Sequence, residues 1–438
     1  MGWLLNLVYA ALLIAVSPIV LWRMLTQGKY RDGWGQKLWG QLPASDENRP
    51  CLWLHAVSVG EVMQLRPVVD ALRAQYGDHR FVISTTTVTG HDVACKSFPD
   101  DTVCYFPLDF TWAVRRAIRR VRPVALVLVE LELWPNLIAA AHRRGIPVIL
   151  VNGRLSAISF RGYHRIRFLM RPLLAKVHTL AVQNETYAER MRQLGAPEDR
   201  LHITGSIKFD AVQIDRHHPR TVEVRRRFGI SDEELVFIAG STQAPEEDYA
   251  LAAYRELRTT FPNLRLVLVP RHKERFEEVA RLVQSRRLPL IRRSSPRTMP
   301  AANEPPVLLL DTLGELSACW GLADIAFVGG SLTNRGGQNM IEPAGYGAAV
   351  LFGPNTRNFR DVVEILLNYE AARVVHSAEE LTVAVRTLLD DPSTRGAMGR
   401  KAQELVLAQQ GATARTVALV AQVLPQRPQD KGVPARAA

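Results

Sequence analysis

Carboxylate side chains follow two apolar segments of the chain, at the points where predicted strands end. Glu61 closes the run HAVSVGE (55–61), and Glu130 and Glu132 lie in ELELWPN (130–136). A carboxylate at a strand-to-helix turn can take a proton from a hydroxyl group as a general base. A glutamate at a helix N-terminus is also stabilised by the helix dipole, and a glutamate beside a buried strand can pair with an arginine. The residues alone leave these alternatives open.

A glycine-rich segment, FVGGSLTNRGGQNMIEP (327–343), has the composition of an anion-binding site. The apolar run Ala323–Val328 ends in one glycine pair, and a second pair, ending at Gly337, is predicted to open a helix that carries Asn339 and Glu342. Free backbone N–H groups and the positive end of a helix dipole bind phosphate. Glu342 would lie about one turn into the helix, within reach of a ribose hydroxyl. The segment therefore predicts a nucleotide-linked substrate.

Three more polar turns follow predicted strands in the second half of the chain. They contain Gly240, Ser241 and Thr242 in the first turn, Arg271 and His272 in the second, and Gly314 and Glu315 in the third. Because the carboxyl ends of parallel strands lie at one edge of a sheet, we expect these turns to converge. Hydroxyl, amide and guanidinium groups suit phosphate. A basic loop is usually solvated surface, but three polar turns beside the glycine segment favour a binding site.

Arginines are concentrated in two segments of the first half of the chain. Arg115–Arg122 forms one basic helix, and a second basic run contains Arg154, Arg161, Arg165, Arg167 and Arg171. Solvated helix faces are the common explanation of such runs. The net charge of +12 and the pI near 9.8 nevertheless indicate an anionic partner. Lipid phosphate is favoured over nucleic acid, because the sequence has no nucleic-acid fold signature or aromatic stacking motif.

The first 25 residues are predicted to form a membrane anchor. Gly2–Trp22 contains no charged side chain and is long enough to span a bilayer. Basic residues follow at Arg23, Lys29, Arg31 and Lys37, so the positive-inside rule places the rest of the chain on the cytoplasmic side of the membrane. A cleaved signal peptide and a buried amphipathic helix are the rival interpretations. The segment has no basic n-region and no clear cleavage site, which disfavours the signal peptide.

From residue 50 onward, short apolar runs alternate with helix-length segments, which is typical of an α/β fold with parallel sheets covered on both faces. The pattern restarts after a polar stretch, and a chain of 438 residues is too long for one ordinary core. We predict two Rossmann-like domains at 30–212 and 220–425, a linker near 210–225, a final helix at about 393–423 and a disordered tail at 426–438. The ligand is expected in the crevice between the domains. The predicted strands are 51–57, 81–87, 124–130, 148–152, 179–184, 235–240, 265–270, 307–311, 324–330 and 348–354.

Several chemistries have no signature in this sequence. It contains no Asp-x-Asp motif, no His/Asp/Glu metal-ligand cluster, no Walker lysine loop and no GxSxG elbow. The four cysteines form no CxxC pair. A transferase that stabilises a leaving phosphate without a metal would use helix dipoles and basic side chains. We therefore predict no metal and no cofactor.

Eight motifs together resemble one known family, the 3-deoxy-D-manno-octulosonic acid (Kdo) transferases. They are HAVSVGE, ELELWPN, VNGRLS, GSIKFD, GSTQAPEE, PRHKERF, DTLGEL and FVGGSL…GGQN…EPA, in the order seen in that family. The resemblance covers about 30–425 together with the N-terminal anchor. It implies an inverting, metal-independent glycosyltransferase of GT-B fold (glycosyltransferase family 30) that moves Kdo from CMP-Kdo to a lipid A precursor, lipid IVA.

The resemblance also implies roles for individual residues. Glu61 would be the general base, and CMP would bind the second domain at Gly240, Ser241, Thr242, Arg271, His272, Gly314, Glu315, Gly337, Asn339 and Glu342. Lys208 would help to hold an anionic group of the donor, and the acceptor would meet Ser58, Gly60, Glu132, Arg154, Arg161 and Arg165. Gln243 and Gln338 stand where the family often has His, and Leu131 stands where Thr is usual.

Two alternative functions stay open at this stage. One is a GT-B transferase that uses another nucleotide sugar, such as a UDP-sugar. The other is a non-catalytic basic membrane protein that binds anionic lipid. The sequence gives no indication of the oligomeric state, the number of Kdo units transferred or the acylation preferred in the acceptor.

Overall fold

The computed structural model describes residues 2–27, 32–44, 49–295 and 305–424. The predicted disordered tail at 426–438 lies outside these residues, as do Lys29 and Arg31 of the predicted basic flank. The chain forms two compact units, Met1–Asp210 with Gln410–Ala438, and Ala211–Gln409. Each unit is an α/β layer structure built on a parallel sheet of seven strands.

The sheet of the first unit has the strand order β3-β2-β1-β4-β5-β6-β7, with every pair parallel. Its strands are β1 Cys51–His55, β2 Arg80–Thr85, β3 Thr102–Tyr105, β4 Pro123–Val129, β5 Val148–Gly153, β6 Thr179–Val182 and β7 Leu201–Ile203. Its helices are α1 Gly2–Gln27, α2 Trp34–Trp39, α3 Val59–Gln75, α4 Val88–Ser97, α5 Thr111–Val121, α6 Pro135–His142, α7 Ala157–Arg165, α8 Arg167–Leu174 and α9 Glu185–Leu194. A further helix near the C-terminus, described below, joins this unit.

The sheet of the second unit has the order β10-β11-β9-β8-β12-β13-β14, again all parallel. Its strands are β8 Leu235–Thr242, β9 Leu264–Pro270, β10 Leu290–Arg292, β11 Val307–Leu309, β12 Ile325–Val328, β13 Ala349–Phe352 and β14 Ala372–Val374. Its helices are α10 Pro219–Phe228, α11 Glu246–Leu257, α12 Phe276–Ser285, α13 Leu316–Trp320, α14 Ile341–Gly345, α15 Arg360–Asn368, α16 Ala378–Asp390 and α17 Pro392–Gln409. Three short 3₁₀ turns, Glu198–Arg200, Ile207–Phe209 and Lys273–Arg275, complete the two units.

Each sheet is buried on both faces, which explains why its central strands are continuous apolar runs. In β1 every residue is buried, and neighbouring residues point to opposite faces. Trp53 packs into the cluster that contains Val114 and Ile118 of α5, whereas Leu52 and Leu54 pack into the cluster on the other face, with α3. Two separate cores therefore hold one sheet between helical layers.

The predicted final helix is wrong in one respect. The chain breaks at Gly411, where a left-handed backbone (φ 86°) ends one helix and starts another, α18 Ala412–Ala421. α18 belongs to the first unit, because Val417 and Val420 are buried in its core together with α3. The C-terminal boundary of the second domain is thus 409 and not 425. The predicted linker also contains α10, and the chain passes from the first unit to the second at 210–211.

Asp210 fixes the start of this last helix. Its carboxylate accepts hydrogen bonds from the backbone N–H of Gly411 (2.7 Å) and of Ala412 (3.2 Å), and also from the N–H of Thr413. Those amides have no partner inside their own helix, so the carboxylate acts as an N-cap supplied from a distant part of the chain.

We expect Asp210→Ala to release α18 from the first unit. An unsatisfied amide costs about 1–3 kcal/mol, so amide hydrogen exchange across 412–421 should accelerate by about tenfold or more. Asp199→Ala is the matched control, because Asp199 is an exposed aspartate of the same unit. Equal exchange in the two variants would contradict the capping role of Asp210.

Candidate active site

The predicted carboxylates of the first unit come together where its strand order reverses. β1 lies between β2, which follows it in sequence, and β4, which begins the other half of the sheet. Glu61 sits in the first turn of α3, directly after β1, and Glu130 and Glu132 directly follow β4. In parallel α/β sheets ligands bind outside the carboxyl strand ends at such a reversal. The geometry therefore supports a binding site at this position.

Glu61 forms a capping box with Ser58. The Ser58 hydroxyl accepts from the Glu61 N–H (3.4 Å), and the Glu61 carboxylate accepts from the Val57 N–H (2.8 Å) and the Ser58 hydroxyl (2.7 Å). The helix-terminal role weighed from the sequence is thus real. A carboxylate has about four acceptor positions, so these two bonds leave capacity for a proton from a ligand.

Glu132 is a proton-holding group beside Glu61. Burial raises the pKa of Glu132 to about 7, and the negative charges of Glu61 and, to a smaller extent, Glu130 add to the effect. Burial, and then the charge of Glu132, also raises the pKa of Tyr163 on α7. Two carboxyl groups whose environments differ in this way can divide acid and base roles between them.

Left-handed backbone conformations mark the strand ends at this site and in the second unit. Glu130, Asn152 and Ser241 follow or end strands β4, β5 and β8, and their φ angles are 58°, 54° and 55°. Such angles are unfavourable for residues other than glycine and concentrate at functional sites. They indicate that the backbone at these three strand ends is held by its surroundings.

Asn152 shows how this conformation is held. It is fully buried, its Nδ2 donates to Oε1 of Gln64 (2.6 Å), and its Oδ1 accepts from the N–H of Ile207 (3.3 Å). Sequence reasoning named its motif, VNGRLS, but missed Asn152 and Gln64 as a hydrogen-bonded pair. The two residues are 88 positions apart, and only the folded sheet shows that they meet.

The remaining predicted residues of the first unit are spread over several elements. Arg154 follows β5 and is half-buried, whereas Arg161 and Arg165 are exposed on α7. Gly60 lies in the first turn of α3, between Ser58 and Glu61. Lys208 lies in the 3₁₀ turn Ile207–Phe209, so the first unit carries it, although its predicted ligand is the donor.

In the second unit, the backbone amides that directly follow β12 are already occupied. The carboxylate of Glu246 accepts from the N–H groups of Gly330 (2.7 Å), Ser331 (3.0 Å) and Leu332 (2.9 Å), and from that of Gln243 (2.9 Å). Glu246 is fully buried, and burial raises its pKa against the effect of these donors. The amides of Gly330, Ser331 and Leu332 are therefore not free to bind an anion. Sequence reasoning missed Glu246, whose only signal was its place in the GSTQAPEE motif.

Two glycines make this arrangement possible by close approach. A Cβ on Gly329 would lie 2.5 Å from Cα of Thr242 and 2.8 Å from the Glu246 carboxylate. A Cβ on Gly240 would lie 2.5 Å from the indole ring of Trp320. Gly240 therefore has a packing role in addition to the predicted ligand role of its turn.

The predicted helix at Gly337 is also wrong, but its polar residues do meet. Gly337 is in the left-handed conformation (φ 76°), and α14 begins only at Ile341 and is five residues long. Asn339 Nδ2 donates to Glu342 Oε1 (2.9 Å). Burial raises the pKa of Glu342, and the nearby charge of Arg271 lowers it. Arg271, Asn339 and Glu342 thus form one polar cluster at the ends of β9 and β12.

The other predicted turns of the second unit line different surfaces. Ser241 and Thr242 are buried at the end of β8, and His272 is exposed after β9. Glu315 accepts from Arg293 (2.7 Å) and from the Thr312 hydroxyl. Gly314 and Glu315 line a cavity of about 340 Å³ whose other walls include His218, Arg220 and Tyr346. His218 and Arg220 lie in the stretch that the sequence indicated only as a linker.

Within the described ranges, no group of three or more His, Cys, Asp or Glu side chains is arranged to hold a metal ion. A metal-independent reaction stays a prediction.

Comparison with known proteins decides the family. A family model described as "3-Deoxy-D-manno-octulosonic-acid transferase (kdotransferase)" matches residues 32–211. The 3-deoxy-D-manno-octulosonic acid transferase of Haemophilus influenzae is 33% identical over 418 residues, which cover 94% of this chain and 97% of that protein. The chain belongs to the Kdo transferase family. The Bordetella pertussis transferase of the same name is also 33% identical, over 84% of this chain and 86% of its own length.

This member of the Kdo transferase family has the GT-B fold and is a glycosyltransferase. Acinetobacter baumannii MurG matches 85% of this chain and 99% of its own chain with a TM-score of 0.54 at 14% identity. A UDP-GlcNAc 2-epimerase from Neisseria meningitidis gives the same TM-score, 0.54, at 13% identity. Identities this low show the fold alone.

The raised pKa of Glu132 predicts a pH-dependent effect of Glu132→Gln on stability. Between its ordinary value of 4.5 and about 7, the folded protein holds a proton at Glu132 that the unfolded chain has lost. Stability therefore falls as the pH rises through this window, and the amide variant escapes that loss. We expect the variant's Tm, relative to wild type, to be higher at pH 8 than at pH 5.

Thermal unfolding of both proteins in the same detergent measures this difference. Glu185→Gln is the control, because Glu185 is an exposed glutamate of the same unit, paired with Arg192. A Tm difference for Glu132→Gln that is identical at both pH values would show that Glu132 titrates normally.

Proposed function

We propose that this glycosyltransferase moves Kdo from CMP-Kdo to a hydroxyl group of lipid IVA in lipopolysaccharide biosynthesis, with inversion and without a metal. The observation that carries the proposal is the pair of carboxyl groups, Glu61 and Glu132, at the strand reversal of the first unit. Family membership supports the Kdo donor sugar, and the net charge of +12 suits a phosphorylated acceptor and a nucleotide donor.

Glu61 is the general base in this proposal. Its carboxylate takes the proton of the acceptor hydroxyl as that oxygen attacks the anomeric carbon of Kdo from the face opposite the phosphate. The bond from the anomeric carbon to the phosphate oxygen breaks, and CMP leaves with the electron pair. The capping box supports this role because it fixes the Glu61 side chain before substrate arrives.

Glu132 limits the negative charge of the site near neutral pH. Because burial and the charge of Glu61 raise its pKa to about 7, it still holds a proton in part of the molecules, which weakens repulsion between the two carboxyl groups and the anionic substrates. The acceptor would be held by Ser58, Gly60 and Glu132 beside the base, and its phosphates by Arg154, Arg161 and Arg165.

CMP is assigned to the second unit, with Arg271 as the main source of positive charge. Because Glu246 occupies the amides of Gly330, Ser331 and Leu332, these amides do not serve the leaving phosphate, and Arg271, exposed beside Asn339 and Glu342, supplies positive charge. Further donor contacts are proposed for the turns after β8, β9 and β11 and for Lys208. In these turns they are Gly240, Ser241, Thr242, His272, Gly314 and Glu315, and Gly337 in the segment after β12 adds one more.

Membrane association completes the proposal. The segment Gly2–Thr26 is long and apolar enough to cross a membrane, with a mean hydropathy of 2.4 over its most apolar window. Its exposed side chains include Trp3, Leu7, Ile14 and Leu25. A soluble protein rarely leaves such an apolar surface in water. We assign it to the cytoplasmic face of the inner membrane, where a lipid acceptor is accessible.

Glu61→Gln separates the catalytic role of Glu61 from its structural one. Glutamine also completes a capping box, so folding and CMP binding should be retained, whereas an amide cannot take the proton. We expect transfer to fall by about 10²-fold or more, the typical contribution of a general base. The assay measures transfer rate, Tm and CMP affinity on the same preparation.

The second unit offers a matched control. Ser377 and Glu380 form the same capping box at α16, where Glu380 accepts from the N–H of His376 (2.8 Å). Glu380→Gln should leave the transfer rate unchanged. A near-normal transfer rate in Glu61→Gln would show that Glu61 is a helix cap and not the general base.

Nucleotide binding distinguishes this proposal from a transferase that uses another nucleotide sugar. CMP should raise the Tm of the wild-type protein, and UMP and UDP should not, because ligands stabilise the state they bind. Stabilisation by UDP with no effect of CMP would favour the alternative donor.

A further inference from the structure

Helix α1 is apolar enough to cross a membrane, yet its N-terminal part is bound to the first unit by a buried polar network. Asn6 is only 4% exposed. Its Nδ2 donates to Oγ1 of Thr111 (2.7 Å), and its Oδ1 accepts from the Thr111 N–H (3.1 Å) and from Nδ2 of Asn136 (3.3 Å). Thr111 and Asn136 lie at the first turns of α5 and α6.

Asp109 holds the other side of this network. Its carboxylate accepts from the N–H groups of Asn136 (2.9 Å) and Leu137 (2.8 Å), and from the Tyr9 hydroxyl (3.2 Å). Asn6, Asp109, Thr111 and Asn136 are all buried, so moving α1 into hydrocarbon would take Asn6 away from all of its hydrogen-bond partners. An amide side chain without partners in hydrocarbon is costly, which favours the bound position of α1.

Tyr9 adds an apolar contact on the same face of α1, and a groove follows it. Tyr9 packs edge-on against Phe110, with ring centroids 6.1 Å apart. Leu12, Leu13 and Val16 line an apolar groove of about 280 Å³ whose opposite wall includes Leu108, Phe110 and Trp134. The groove separates this part of α1 from the unit, and Leu12 and Val16 are 57% and 47% exposed, so the helix is bound to the first unit through its first two turns.

With Asn6 and Tyr9 bound, the rest of the helix cannot cross a bilayer by itself. Residues 10–27 extend roughly 27 Å at about 1.5 Å per residue, and the chain is bound to the first unit again at α2, where Gln36 accepts from the Tyr105 N–H and the Leu38 carbonyl accepts from Trp112. The hydrocarbon core of a bilayer is about 30 Å thick. For α1 to cross it, Asn6 and its partners on α5 and α6 would have to enter the hydrocarbon or separate, and both are costly.

We propose that α1 enters one leaflet of the membrane while it stays bound to the first unit, so that the chain does not cross the bilayer. The face opposite Asn6 and Tyr9 supplies the lipid contact, with Leu7 at 68% and Ile14 at 71% exposure. Trp112, which stacks on Phe110 at 4.6 Å, is exposed beside it and suits the membrane–water interface. The inference rests on the membrane association proposed above and on no other part of the function.

The position of the N-terminus relative to the body of the protein tests this proposal. Cys95 is exposed on α4, whereas Cys51, Cys104 and Cys319 are buried, so the full chain already carries one reactive thiol on the first unit. A short hydrophilic tag ahead of residue 1 adds a second thiol. The tagged protein is reconstituted into phospholipid vesicles, labelled with a membrane-impermeant maleimide, and measured by intact mass spectrometry.

A helix in one leaflet places both thiols on the same side, so each molecule should carry two labels or none. A crossing helix places them on opposite sides, and singly labelled molecules would then dominate and overturn the proposal. Tagged Cys95→Ser, which can carry one label only, assigns the peaks, and labelling in detergent should modify both thiols. Failure of the protein to float with the vesicles would instead contradict membrane association itself.

The variant Asn6→Leu tests whether the polar network around Asn6 keeps α1 in one leaflet. Replacing Asn6 removes the side-chain hydrogen bonds of α1 to Thr111 and Asn136, so the singly labelled fraction should rise. An unchanged label distribution in this variant would show that the polar network does not keep α1 in one leaflet.

Discussion

Parallel pairing of every strand is the constraint on which the rest of this molecule depends. In a parallel sheet all carboxyl strand ends lie at one edge, and helices must return the chain to the opposite edge. Glu61 and Glu132 meet in the first unit for this reason, although 71 residues separate them. The same constraint brings Arg271, Asn339 and Glu342 together in the second unit. The sheet topology thus brings the residues of the candidate site together, and individual contacts then fix their positions.

Two buried glutamates, Glu246 and Glu61, have different roles in this molecule. Glu246 is fully buried with four amide donors, so it holds the loop after β12 and has no freedom to act on a ligand. Glu61 accepts two hydrogen bonds at a helix start and keeps acceptor capacity. A structural carboxylate that fills these amides also removes them from phosphate binding, so the proposed donor site depends on other groups, such as Arg271.

The central strands could be predicted from sequence and the edge strands could not. All ten predicted strands are present, and the four that were missed are β3, β7, β10 and β14, which are the edges of the two sheets. Edge strands are short and pair on one side, so they lack the long apolar run that identifies a buried strand. The Asn152–Gln64 bond, the Glu246 contacts and the docking of α18 were missed for another reason. Each joins residues that are far apart in the sequence and that meet only in the folded chain, so sequence periodicity gives no signal for these contacts.

The most direct measurement is a mass spectrum of lipid IVA after incubation with CMP-Kdo and the full-length protein in detergent or vesicles. The account predicts a lipid product heavier by one or more Kdo residues, formed together with free CMP and dependent on the protein. Unmodified lipid IVA from a folded preparation that binds CMP, or Kdo released to water with no lipid product, would contradict it.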